Sequence, residues 1–227
     1  MGVLLIIIKK KEEIKMSRII RNLCIVGMSV LFFCFFFLNE SYAGPRCKDL
    51  TGETGTFVKT IWSGELERSY MLYVPSKYKN NRPTPLVFDF HGKGGAAQGH
   101  SNYTQMKVLA EKYKFILVTP NTHGDSWNGG KGDDPDIDDV GFVSDLIDTV
   151  KEEYCIHPKR IFATGFSSGG VLCHRLACDI PDRIAAIAPV AAFDRTYSCD
   201  PVRPVPIMAF HGTSDLVVKY SWASFAV

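Results

Sequence analysis

The feature that most constrains this chain is a five-residue turn, Gly165-Phe166-Ser167-Ser168-Gly169, between an apolar run at 160–164 and a second apolar stretch reaching about residue 180. The first run has strand character and the second keeps helical spacing, so the chain must pass from strand to helix almost at once. Glycines flank the turn where a side chain would collide with the neighbouring helix or strand. The rest of the chain follows the same grammar. Segments 56–61 and 67–74 read as a hairpin around a Ser-Gly turn, and 86–90, 115–119, 160–164, 185–191 and 206–210 read as strands, the last two as buried ones. Between them, Tyr103, Met106, Ala110 and Tyr113 share one helical face, 121–136 is a loop dense in Gly and Asp, and Val143, Leu146, Ile147, Val150 and Tyr154 mark a helix from about Asp138. This alternation predicts an α/β fold: a mostly parallel sheet with helices on both faces, an N-terminal hairpin, and ligand chemistry at the carboxyl ends of the strands. No internal repeat or low-complexity segment interrupts it, so one domain is expected over 44–227.

Composition removes other classes. Of the 227 residues 46% are hydrophobic and 22% charged, with a net charge of +2, which excludes general disorder and provides for a sizeable core. The 26 basic residues face 24 acidic ones without forming a basic stripe, so no nucleic-acid partner is expected. Six of those basic residues and only three acidic ones precede residue 44. From Met16 the chain reads as a secretory leader: Arg18 and Arg21, an apolar run at 23–38, then Ser41-Tyr42-Ala43 with cleavage expected after Ala43. The apolar run is shorter than the ~20 residues of a membrane span, so a signal peptide over 16–43 is preferred to a retained anchor, with no stable membrane association after cleavage. Phe33 before Cys34 argues against a lipoprotein site. Residues 1–15 fit no targeting pattern, and the Lys-Glu-Glu stretch at 11–13 resembles a translated ribosome-binding site, so the expected true start is Met16. Export to the periplasm or the exterior follows.

Five cysteines remain after such processing, and an oxidising compartment makes disulfides expected. Cys178 with Cys199 is the preferred pair and Cys47 with Cys155 the second, leaving Cys173 as a small core residue. A metal set from Cys173, His174 and Cys178 lacks a second ligand pair with zinc spacing, so no metal and no organic cofactor are expected.

The Gly165–Gly169 turn has the form of a nucleophile elbow, with Ser167 exposed on a strained strand-to-helix turn. A second element lies upstream in His91-Gly92-Lys93-Gly94-Gly95, at the end of a strand. A tetrahedral oxyanion needs preplaced N–H donors worth roughly 3 kcal/mol each; the N–H groups of Ser168 and Lys93 are the candidates. His91 is expected to orient this loop rather than act as a base, and the loop lacks the ending of a Walker phosphate-binding sequence. Asp215, in His211-Gly212-Thr213-Ser214-Asp215 after the 206–210 run, is the candidate acid that orients a histidine, against the alternative of a turn aspartate.

Phe88-Asp89-Phe90-His91-Gly92-Lys93-Gly94-Gly95, Trp127-Asn128, Asp138-Asp139-Val140-Gly141-Phe142-Val143, Gly165-Phe166-Ser167-Ser168-Gly169-Gly170 and Phe210-His211-Gly212-Thr213-Ser214-Asp215 occur in this order. Together they resemble the secreted polyhydroxybutyrate-depolymerase and feruloyl-esterase-type carboxylesterases of the α/β-hydrolase superfamily, over roughly 47–220. The resemblance implies Ser167 as nucleophile, Asp215 as triad acid, and a polysaccharide or polyester ester as substrate. It places the Trp127 region near the site mouth, where Trp127 is either a substrate-binding residue or an aromatic packed on the domain.

The chain departs from the family in one respect. The triad histidine of this fold follows the acid, yet all six histidines (His91, His100, His123, His157, His174 and His211) precede Asp215. A C-terminal strand and helix are likewise expected to be missing, making 44–227 an incomplete domain. Loss of a triad member costs on the order of 10⁴–10⁶ in turnover. The expectations are therefore an exported serine esterase impaired in this form by truncation, an inactive ester-binding protein or gene fragment, or, most remotely, rescue by His100 or His123.

Overall fold

The computed structural model describes residues 47, 50, 52–130, 134, 136–194 and 199–220, all within the compact unit Gly44–Val227. The leader and the proposed start at Met16 lie outside the described residues. Among the described residues no helix is long and apolar enough to cross a membrane.

Six strands form one sheet in the order β1-β2-β4-β3-β5-β6. Strands β1 (Gly55–Ser63) and β2 (Leu66–Val74) make the expected antiparallel hairpin, in register from Gly55 opposite Val74 to Ser63 opposite Leu66. Gly64 takes φ 57° at its tip, the left-handed conformation such tight hairpin turns require. Strand β2 runs antiparallel to β4 (Ile116–Pro120), whereas β3 (Thr84–Phe90), β4, β5 (Ile156–Phe166) and β6 (Ala186–Val190) are mutually parallel. The central strands are the most apolar. All five residues of β4 are buried, as are Leu86, Phe88 and Phe90 of β3.

Helices α1 (Ala97–Thr104) and α2 (Met106–Tyr113) rest against β2 and β4, α3 (Asp139–Glu153) against β1 and α4, and α4 (Ser168–Asp179) against β5 and β6. Helix α3 starts where its sequence directs: the Asp138 carboxylate accepts the Gly141 N–H at 2.7 Å, which caps a free first-turn donor. Its Val143, Leu146, Ile147 and Val150 stripe and Tyr154 just beyond are all buried.

Two expectations need correction. The helical face of Tyr103, Met106, Ala110 and Tyr113 is not a core face, because Gln105 adopts φ 55° and breaks the helix in two. Of α2 only Ala110 is buried, and Tyr103 and Tyr113 are largely exposed. Segment 206–210 is not a buried strand either. It meets β6 through two parallel bridges, Ile187 with Ile207 and Val190 with Phe210, and Ile207, Met208 and Phe210 are each more than half exposed. It lies at the sheet edge with a neighbouring strand on one side only among the described residues, so its apolar side chains are half covered.

Both expected disulfides are formed, Cys47–Cys155 and Cys178–Cys199, each with Cα atoms 5.3 Å apart. Cys173 is a buried free thiol, and burial raises its pKa well above the ordinary value. With Cys178 in a disulfide, the Cys173-His174-Cys178 metal set is not available.

Candidate active site

Ser167 stands between β5 and α4 with φ 52° and ψ −117°, a conformation that costs a residue with a side chain on the order of 1–3 kcal/mol. The glycines around it show what imposes this. A Cβ on Gly165 would lie 2.5 Å from the carbonyl carbon and oxygen of Gly169. One on Gly169 would lie 2.5 Å from the Phe90 oxygen, and one on Gly170 would lie 2.6 Å from the Ala192 Cβ. The elbow therefore presses α4 against the ends of β3 and β5, with backbone almost touching backbone. The Ser167 N–H donates to the Val190 oxygen at 2.9 Å and its carbonyl accepts the Val171 N–H at 3.0 Å, so the main chain is fixed on both sides of the hydroxyl-bearing carbon.

The loop after β3 meets this elbow. A Cβ on Gly92 would sit 3.4 Å from the Ser167 Cβ and 3.0 Å from the Phe166 ring. Within the loop, the Gly94 N–H goes to the Asp125 oxygen (2.7 Å) and the Gly95 N–H to the Gly92 oxygen (3.0 Å). The N–H of Lys93 lies beside these committed donors. The N–H of Ser168 belongs to the first turn of α4, where backbone donors have no partner inside the helix. The Lys93 ammonium is exposed and 3.4 Å from the Asp125 carboxylate.

His91 is buried, with Nδ1 donating to the Gly92 oxygen at 2.7 Å and Nε2 accepting the Thr122 N–H at 3.4 Å. Burial lowers its pKa, partly offset by the bond to Gly92, and the neutral ring orients the loop as expected. Trp127 is not presented to solvent. It is 2% exposed, its ring packs on Phe90 and His91, and its indole N–H donates to the His91 oxygen at 2.8 Å. The packed-aromatic alternative is thus the one the structure adopts.

Asp215 lies on the loop that follows Phe210. The Phe210 oxygen accepts the Ala191 N–H at 2.8 Å, so this loop leaves the same end of the sheet as Ser167. Asp215 Oδ1 accepts the N–H groups of Val217 and Val218, each at 2.9 Å, and these bonds hold its carboxyl below the usual range. Its Oδ2 faces His211 Nε2 at 3.9 Å, but that nitrogen donates to the Val218 oxygen at 2.7 Å. The carboxylate is thus preorganised through one oxygen.

The histidines of the described residues have other partners or positions. His100 Nε2 pairs with buried Asp89 at 2.8 Å, which also accepts from Thr104. His157 accepts the Lys159 N–H near the opposite end of β5. His174 is held below its ordinary pKa, chiefly by burial, and His123 is exposed on the 121–128 loop. Two residues the sequence reading gave no role flank the 121–128 loop: Arg68 on β2 and Asp139 on α3 form a buried ion pair at 2.6 Å that bonds Asn121 and Asn128. Asp139 stands in a quoted motif, whereas nothing around Arg68 marked it.

No family model matches the chain. Feruloyl esterase B of Piromyces equi is 34% identical over 164 residues, covering 68% of this chain and 30% of that protein. A bifunctional acetylxylan esterase/xylanase of Neocallimastix patriciarum is 33% identical over 157 residues, covering 67% of this chain and 22% of its own. The chain therefore spans well under two thirds of these relatives. Among solved structures, a thermostable esterase superposes with a TM-score of 0.60 at 23% identity, over 73% of this chain and 48% of that one. With the Gly-bounded elbow, the glycine loop beside it and the six-stranded mostly parallel sheet, these similarities place the chain in the α/β-hydrolase fold, among the feruloyl-esterase-type carboxylesterases.

Proposed function

We propose that this chain carries the nucleophile and oxyanion half of an exported serine carboxylesterase acting on ester-linked acyl groups of plant polysaccharide, feruloyl or acetyl. One observation carries the reading: the left-handed Ser167 beside the Gly92 backbone. Ser167 Oγ attacks the ester carbonyl and forms an acyl-enzyme, water then releases the acid, and the tetrahedral oxyanion lies on the N–H groups of Ser168 and Lys93. Asp215, ionised and held by Val217 and Val218, orients a histidine base. The names of the two relatives support polysaccharide esters over polyesters as the substrate class. Two disulfides and the leader at 16–43 support export.

No histidine follows Asp215 in the 227 residues, so turnover by these residues alone is slower than that of a full triad by on the order of 10⁴ or more. Free imidazole supplies the missing base chemistry from solution. Hydrolysis of p-nitrophenyl acetate in imidazole buffer should exceed the protein-free rate, and the excess should vanish in Ser167→Ala. An excess that persists in Ser167→Ala would remove the esterase reading. A folded chain that binds methyl ferulate but gives no excess would identify a binding protein.

A further inference from the structure

We propose that the buried Arg68–Asp139 pair is a positioning device for the oxyanion loop, acting through Asn128 and Trp127; the proposal rests on the esterase reading above. The pair is almost wholly removed from water, with side chains 2% and 0% exposed. A buried carboxylate is costly unless each oxygen is satisfied, and both oxygens of Asp139 are. Oδ1 accepts from Arg68 Nη2 at 2.6 Å, and Oδ2 accepts the backbone N–H of Asn128 at 2.7 Å. The guanidinium lies 4.0 Å over the Phe142 ring of the same helix and also donates to the Asn121 oxygen at 3.4 Å. Helix α3 and strand β2 thereby grip the 121–128 loop at both ends. Gly129 continues the contact, since a Cβ there would lie 2.8 Å from the Leu172 nitrogen of α4.

What this grip holds is Trp127, one residue before the fixed Asn128 amide. Its indole donates to the His91 oxygen, and Thr122 of the same loop donates to the His91 ring. The Asp125 oxygen takes the Gly94 N–H. Three bonds from one clamped loop thus bracket Gly92, which meets Ser167, and Lys93 beside it. Asp139 and Arg68 touch no reacting atom; they set where the Lys93 N–H sits. Misplacing such a donor by about 1 Å costs roughly 10²-fold in rate.

The test compares Trp127→Phe, which keeps an aromatic ring but removes the indole donor, with Asp139→Asn and with Ile147→Val, a core change on α3 away from the loop. Backbone hydrogen exchange of residues 91–95 and the imidazole-assisted p-nitrophenyl acetate rate are read on each, with melting temperature recorded alongside. The expected result is faster exchange at 91–95 in Trp127→Phe and Asp139→Asn, and a kcat lower by roughly 10- to 100-fold with KM within about twofold. Ile147→Val should leave exchange at 91–95 and kcat unchanged. Unaltered exchange in Trp127→Phe, or an equal kcat loss in Ile147→Val at equal melting temperature, would overturn the proposal. If Ser167→Ala shows the esterase reading to be wrong, the exchange result still decides whether the pair positions this loop.

Discussion

Substituting Gly169 by alanine sets two known effects against each other. In a helix interior the change should stabilise, by about 0.8–1.0 kcal/mol of propensity. At Gly169, however, the new Cβ would meet the Phe90 oxygen at 2.5 Å, the His91 oxygen at 2.6 Å and the Phe90 Cβ at 2.7 Å. They belong to the last residue of a central strand and the residue just after it, and the first contact falls about 0.9 Å short of ordinary van der Waals separation. No flexible side chain can turn aside, so α4 must move away from β3. Overpacking of this kind costs about 1–3 kcal/mol, which leaves Gly169→Ala less stable than the parent by up to about 2 kcal/mol. Gly99→Ala is the matched control, because Gly99 is helical and nothing lies within 4 Å of its Cβ position. It should gain up to about 1 kcal/mol. Urea denaturation with a common m-value measures both. The displacement also carries Ser167 away from the 91–95 loop, so the imidazole-assisted rate should fall roughly 10²-fold in Gly169→Ala. Should Gly169→Ala prove as stable as Gly99→Ala, the close-contact account of the elbow is wrong.

Two further expectations concern stability. Burial lowers the pKa of His91 below its ordinary 6.5, so the unfolded chain takes up this proton at a higher pH than the folded one. The contribution is therefore complete above about pH 6.5 and is lost as the pH falls towards the lower folded value. The denaturant midpoint should drop more steeply between about pH 7 and pH 5 in the parent than in His91→Gln, and parallel slopes would contradict this. The disulfides close loops of very different length, with sequence separations of 108 and 21. Chain entropy assigns them about 4.8 and about 3.3 kcal/mol, so Cys47→Ala should cost more in urea denaturation than Cys199→Ala. The reverse order would show that strain or residual structure, not loop entropy, governs them.

What could be read from the sequence has a physical pattern. The elbow was legible because glycines record main-chain contacts, and Gly165, Gly169 and Gly170 each stand where backbone or a Cβ comes within 2.6 Å. The α3 stripe was legible from its period and the Cys178–Cys199 pair from a short spacing in an oxidising compartment, whereas nothing local pointed to Cys47–Cys155, 108 residues apart. Trp127 stayed ambiguous because its role depends on a carbonyl 36 residues away, and Arg68 was invisible because its partner is 71 residues away. The break at Gln105 has neither glycine nor proline to announce it. Segment 206–210 has the composition of a central strand, and composition does not encode whether a strand has one neighbour or two.

The glycine contacts around Ser167 have a consequence for how such a site diversifies. Its spacing is set by main-chain atoms of β3, β5 and α4, so almost no surface substitution can retune the distance between hydroxyl and oxyanion donors. Chemistry is thereby insulated from selectivity. On the esterase reading proposed above, a change in the acyl group or sugar accepted falls to side chains outside these backbone contacts and outside the 121–128 loop, which itself holds residues 91–95. On that reading, a lineage with this elbow exchanges one ester for another without moving the main-chain contacts around Ser167.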